Sequence, residues 1–173
     1  MLHAPGKWFE RKFKLGLPNE MLPMIVERLR GTPARLEERL HDVSHRRLIA
    51  KPGGEWSVQE HAGHLLDLEE LWNGRILDFR LGTAALRPAD LQNSKTHNAN
   101  HNEHELKRIL LDFRTARAHL VHSIEQCDDE LLNRSALHPR LHQPMRIVDH
   151  AFFVAEHDDH HLAVISHLLH RHD

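Results

Sequence analysis

The 173-residue chain is expected to form an all-α domain, a four-helix bundle preceded by an N-terminal arm and a short helix. Three observations carry this. Apolar residues recur at three- and four-residue intervals over long stretches, the period of an amphipathic helix. Strand signals are nearly absent, with no Tyr and little alternation of Val, Ile and Thr. Gly and Pro gather mainly between the periodic stretches.

The arm ends at Pro18, and residues 19–30 read as a short helix closed by Gly31. Thr32 and Pro33 then read as an N-cap and a first-turn proline that open a helix over 32–48, with Leu36, Leu40, Val43 and Leu48 on one stripe. Residues 51–55 form a turn. Ser57, with Glu60 three residues on, makes a capping box for a second helix over 58–79. Residues 82–100 contain Pro, Gly, Asn and Asp without periodicity and read as a long ordered loop, a kind of segment often used for function. A third helix spans 102–126, with Leu106, Ile109, Phe113, Leu120 and Ile124 inside. Residues 127–143 are a connection with a helical turn at 129–133, and the fourth helix covers 144–170. Everything falls in one domain, 1–173, of which 1–31 is the arm and short helix and 32–173 the bundle.

Charge narrows the partners. With 23 Lys and Arg against 25 Asp and Glu, the net charge of −2 gives no electrostatic case for nucleic acid. No run is long and apolar enough to span a membrane. Trp8, Phe9 and Phe13 of the arm are expected to pack on the body of the domain rather than on a lipid surface. The single cysteine, Cys127, excludes an intramolecular disulfide and fits a reducing, cytoplasmic setting. Its neighbours Asp128 and Asp129 raise a thiol pKa, so it reads as structural. A homodimer through exposed helix faces is compatible with so small a bundle.

The chemistry lies in the 19 histidines. His157 and His161 stand one helical turn apart and share a face. They belong to the stripe Ile147, His150, Val154, His157, His161 and Leu168, among apolar neighbours. On the second helix His64 aligns with Leu68, Leu71 and Arg75, and His61 occupies the same broad face one turn earlier as its rival. Three inward imidazoles, with a fourth position left for water, would make an open metal site. The alternative is three core histidines that each find a separate polar partner. His160 falls on a more polar stripe and reads as a surface or supporting group. His97, His101 and His104 have metal-like spacing but no apolar stripe, and read as a solvated loop leading into a helix. Glu60 and Asp158 flank the site as carboxylates that could serve proton transfer or imidazole orientation. Glu60 is also the capping-box residue, and the sequence singles out no catalytic residue.

Three segments carry a family resemblance: Trp56-Ser57-Val58-Gln59-Glu60 followed by His64-Leu65, Glu156-His157-Asp158-Asp159-His160-His161, and the stretch from Arg28 to Leu36. In order and spacing they resemble the DinB/YfiT-like superfamily of metal-dependent enzymes over most of the chain. The resemblance implies a four-helix bundle of unusual connectivity, and a divalent metal, nickel or zinc, on His64, His157 and His161. It also implies a small-molecule substrate and either hydrolysis or transfer with a low-molecular-weight thiol as co-substrate. The competing expectations are a metal that only ties helices together and a plain bundle with polar core histidines.

Overall fold

Amphipathic stripes become helices here because only a bundle buries all of them at once. The computed structural model describes residues 4–170. In chain order its helices are α1 (Leu22–Leu40), α2 (His45–Leu48), α3 (Val58–Asp67), α4 (Glu69–Leu81), α5 (Ser94–Asn98), α6 (Leu106–Glu125), α7 (Asp129–Asn133) and α8 (Ile147–His170). Between α7 and α8, β1 (Ala136–Leu137) pairs antiparallel with β2 (Pro144–Met145). Helices α3 and α4 are two parts of one column that bends at Leu68. Helix α1 packs on α6 and α8, and the α3–α4 column packs on the same two helices.

The capping box at the start of α3 is present, with Glu60 N donating to Ser57 Oγ at 3.1 Å and Ser57 N to Glu60 Oε2 at 2.8 Å. Gly82, at φ +67°, closes α4 in the left-handed conformation that suits glycine. Several boundaries differ from expectation. The long loop contains α5, α6 begins only at Leu106, and Asp42 at φ 59° turns the chain out of α1. The fourth helix starts at Ile147 because Pro144 and Met145 are engaged in β2.

The largest correction concerns residues 19–48. No break occurs at Gly31: α1 runs through Gly31 and Pro33, and a single 3-10 turn at Asn19–Met21 precedes it. A proline inside a helix orphans the carbonyl four residues back. That carbonyl, Leu29 O, accepts instead from Arg117 Nη1 at 3.3 Å. Thr32 is not a cap; its hydroxyl lies 3.1 Å from Arg28 O and 2.8 Å from Asp158 Oδ2, fully buried.

Two apolar clusters fill the bundle. One contains Leu29, Trp72, Leu120 and Val154, the other Leu36, Leu65, Phe113 and Leu162. Each long helix thus passes from one cluster to the other, and polar residues occupy the level between: Thr32, His64 and Glu69, Arg117, and His157, Asp158 and His161. Arg117 holds this layer together. Its Nε and Nη2 donate to Glu69 Oε1 at 3.0 and 2.6 Å, Nη2 also to Asp158 Oδ1 at 3.0 Å, and Nη1 to Asp158 Oδ2 and Leu29 O. All five guanidinium N–H groups are thereby used. Two carboxylates share one cation, and burial pushes Glu69 up to about 7.

Removing one partner from a buried ionic cluster leaves charge without compensation. Arg117→Met is therefore expected to lower stability by about 3–5 kcal/mol in urea denaturation. A loss below about 1 kcal/mol would mean that the layer is not desolvated in solution.

Candidate metal centre

Helices α3 and α8 bring the three histidines together. His64, His157 and His161 are buried, and each offers one nitrogen so that the three lie within 4.8 Å of one another. His157 Nε2 and His161 Nε2 are 3.2 Å apart. Nitrogen ligands about 2.1 Å from a tetrahedral ion would stand roughly 3.4 Å apart, so this spacing suits a shared cation.

The other ring nitrogens set the orientation. His64 Nδ1 is 3.0 Å from Thr96 Oγ1, which turns Nε2 toward the other two rings. His161 Nδ1 meets His61 Nδ1 at 2.9 Å. His61 is therefore a partner of His161, outside the group of three. His157 Nδ1 is buried without a hydrogen-bond partner. His150, from the same stripe of α8, lies deeper in the core, with Nε2 3.1 Å from Trp72 O.

Burial drives all of these rings toward the neutral form. It pushes His61 and His64 down to about 4, helped by neighbouring histidines, and holds His157 and His161 well below the ordinary range. A neutral imidazole is the form that ligates. The donor set, three free-base nitrogens with two ring edges already fixed by neighbours, fits a borderline divalent ion such as zinc or nickel.

The long loop supplies what the sequence did not advertise. Thr96, on α5, reaches His64, and Asp67 is hydrogen-bonded to His101 Nε2 at 2.8 Å. His101 is buried, contrary to the solvated reading, and Gln59 Nε2 fixes its carbonyl at 2.6 Å. A Cβ at Gly63 would overlap the His101 ring, so the glycine in the α3 motif makes room for the loop. His97 and His104 remain exposed. The polar partners Asp67 and Thr96 carry no periodic or spacing signal.

Neither flanking carboxylate is free for proton transfer at the histidines. Glu60 caps α3 and pairs with Lys51 at 2.6 Å, while Asp158 turns to Arg117 and Thr32. Cys127 bonds to Ser123 O and burial pushes its thiol up, as a structural thiol requires.

The histidines open onto a cavity of about 700 Å³ walled by Trp8, Trp56, Trp72 and Phe153. Trp8 reaches it from the arm and packs edge-on against His157 at 5.0 Å. Phe13 packs beside it, but Phe9 stays 57% exposed at the rim, so the arm docks through two of its three aromatics. His160 is half-buried and also lines the cavity.

A family model described as the DinB superfamily matches residues 28–165. Among solved structures the chain is similar to YfiT from Bacillus subtilis, described as a probable metal-dependent hydrolase with an unusual four-helix bundle topology. The two are 20% identical with a TM-score of 0.78, and the match covers 94% of this chain and 93% of that one. At that identity the likeness establishes the bundle fold. Comparison with curated proteins gives no match.

The depressed histidines have a consequence for acid stability. Unfolded, they bind protons near 6.5; folded, His61 and His64 do so only near 4. Between those values the unfolded chain holds more protons, so acid favours unfolding. In the metal-free protein the stability these histidines contribute should be full above about pH 7 and be lost progressively as pH falls through 6.5 toward 4. That loss should outweigh the opposite change from the single raised Glu69 and be read as a falling urea midpoint. A flat profile over that range would show that these rings titrate normally in the folded state.

Proposed function

The chain belongs to the DinB superfamily, and from that premise we propose that it is a metal-dependent enzyme acting on a small molecule. His64, His157 and His161 hold one zinc or nickel ion through ring nitrogens. The observation that carries the reading is the placement of three converging, neutral imidazoles in the wall of a roomy aromatic cavity. A metal that merely tied α3 to α8 would need neither the cavity nor an open side. His61 and His150 are engaged elsewhere, and so do not close the site with a fourth imidazole.

When bound, a divalent ion in such a site lowers the pKa of a coordinated water or thiol and polarises a substrate oxygen. The chain's own contribution is orientation and exclusion of water. Thr96 and His61 hold the His64 and His161 rings by their far nitrogens. The indoles of Trp8 and Trp72 flank His157 and keep the ring in an apolar setting. Hydrolysis and transfer to a low-molecular-weight thiol are both served by this arrangement, and the description of YfiT favours testing hydrolysis first.

Elemental analysis of purified protein should find about one zinc or nickel per chain, absent from His64→Ala and His161→Ala. A chelator should abolish turnover of ester or amide substrates, or of thiol transfer, and the ion should restore it. A protein that binds no metal even after reconstitution would sink the proposal. Thr96→Val should keep the fold while weakening metal affinity by about 10–100-fold in competition with a chromogenic chelator. Unchanged affinity would remove the loop from the site.

A further inference from the structure

The same cavity has a second polar end, built around Arg75 of α4 and the turn between β1 and β2. Arg75 is only 1% exposed, yet it lines the cavity together with His138 and Arg140. Buried guanidiniums ordinarily meet carboxylates, as Arg117 does. Arg75 does not. Its Nε donates to Arg87 O at 3.2 Å, and its Nη1 faces His138 Nε2 at 3.2 Å.

The His138 contact is chemically unfinished. His138 Nδ1 faces the backbone N–H groups of Arg140 and Leu141 at 3.2 and 3.1 Å, so that nitrogen is the acceptor. In a neutral ring the proton then sits on Nε2, which makes it a donor turned toward another donor. Burial, with Arg75 and Arg140 close by, keeps the ring neutral by pushing it down to about 3. Arg140 adds to the excess, because its Nη2 is buried without a hydrogen-bond partner. Asp78, whose charge Arg75 feels, is already bound by the Arg87 side chain and backbone N–H at 2.8 to 3.1 Å. Among the described residues no carboxylate oxygen is hydrogen-bonded to Arg75 or Arg140. The result is three groups of donors around one end of a cavity, lacking an acceptor.

We propose that this end is a carboxylate-binding subsite, and that the substrate of the three-histidine centre carries a carboxylate held by Arg75, Arg140 and His138. This deepens the enzyme reading above and rests on it. A carboxylate matches the donors in kind: guanidinium forks bind it side-on, and the imidazole N–H can take a remaining lone pair. Trp72 links the two ends. Its ring centroid lies 5.5 Å from the Arg75 guanidinium carbon and 5.6 Å from the centroid of the His157 ring. A substrate anchored at Arg75 would lay an apolar or aromatic body along Trp72 and Phe153 and present its reacting group to the histidines.

Calorimetric titration with phenylacetate and its neutral isostere phenylacetamide tests this, on both zinc-loaded and chelator-treated protein. Phenylacetate should bind at least about ten-fold more tightly than the amide in both forms. Arg140→Gln and Arg75→Gln should each lose that preference, and His161→Ala should keep it. Because Arg75 is nearly fully buried, its variant is judged only if its circular dichroism matches wild type, and the half-buried Arg140 decides otherwise. Equal binding of the two probes, no binding, or an unchanged preference in Arg140→Gln would overturn the subsite. A preference that exists only with zinc and vanishes in His161→Ala would place the carboxylate on the metal, overturning the subsite but not the metal site. A preference that persists in a protein unable to bind zinc would uphold the subsite while the enzyme reading fails.

Discussion

A guanidinium withdrawn from water needs an acceptor on every N–H, and Arg117 finds its acceptors on α1, α4 and α8. That requirement fixes more than one ion pair. It sets the level at which α6 meets its neighbours, and it takes up the carbonyl that Pro33 leaves free. It also fixes the rotation of α8. Residues 157 and 158 project about 100° apart around a helix. Anchoring Asp158 toward α6 therefore turns His157, and His161 one turn on, toward α3. The histidine group is the other half of the same polar layer, and its geometry is inherited from the buried ionic half.

The layer has an energetic logic. Two carboxylates, one guanidinium and three imidazoles interrupt what would otherwise be a continuous apolar core, and each must be satisfied or neutral. Arg117 pairs with both carboxylates, with Thr32 helping Asp158, and only Oε2 of Glu69 is left without a hydrogen-bond partner. The imidazoles are kept neutral by burial, with their nitrogens turned toward one another. The three converging nitrogens would suit a shared cation, the occupant proposed above. Around this centre the aromatic residues and the long loop shape access: Trp8 comes from the arm, Thr96 and His101 from the loop, and Gly63 lets the loop close down on α3.

Much of the bundle was legible from periodicity. The apolar stripes located the long helices, and the α3 capping box and the helical turn at 129–133 were correctly placed. That His64, His157 and His161 point inward and converge could be read from their helix faces, although spacing alone could not separate them from other pairs among 19 histidines. The break expected at Gly31 failed for a tertiary reason, since Arg117 compensates the proline and Thr32 points inward rather than capping. Arg117 itself left a signal: it lies four residues after Phe113 and three before Leu120, squarely on the apolar face of α6. Arg75 likewise shares a face with His64. Thr96, Asp67 and His138 are different, because their roles arise from contacts between segments far apart in sequence and no local pattern marks them.

The proposed chemistry depends on the three imidazoles sharing one ion. X-ray absorption spectroscopy of the stoichiometrically zinc- or nickel-loaded protein measures that directly. It should show three imidazole nitrogens at about 2.0–2.1 Å, with the remaining coordination made by oxygen. A shell with fewer than three imidazoles, or one containing the Cys127 sulfur, would contradict it.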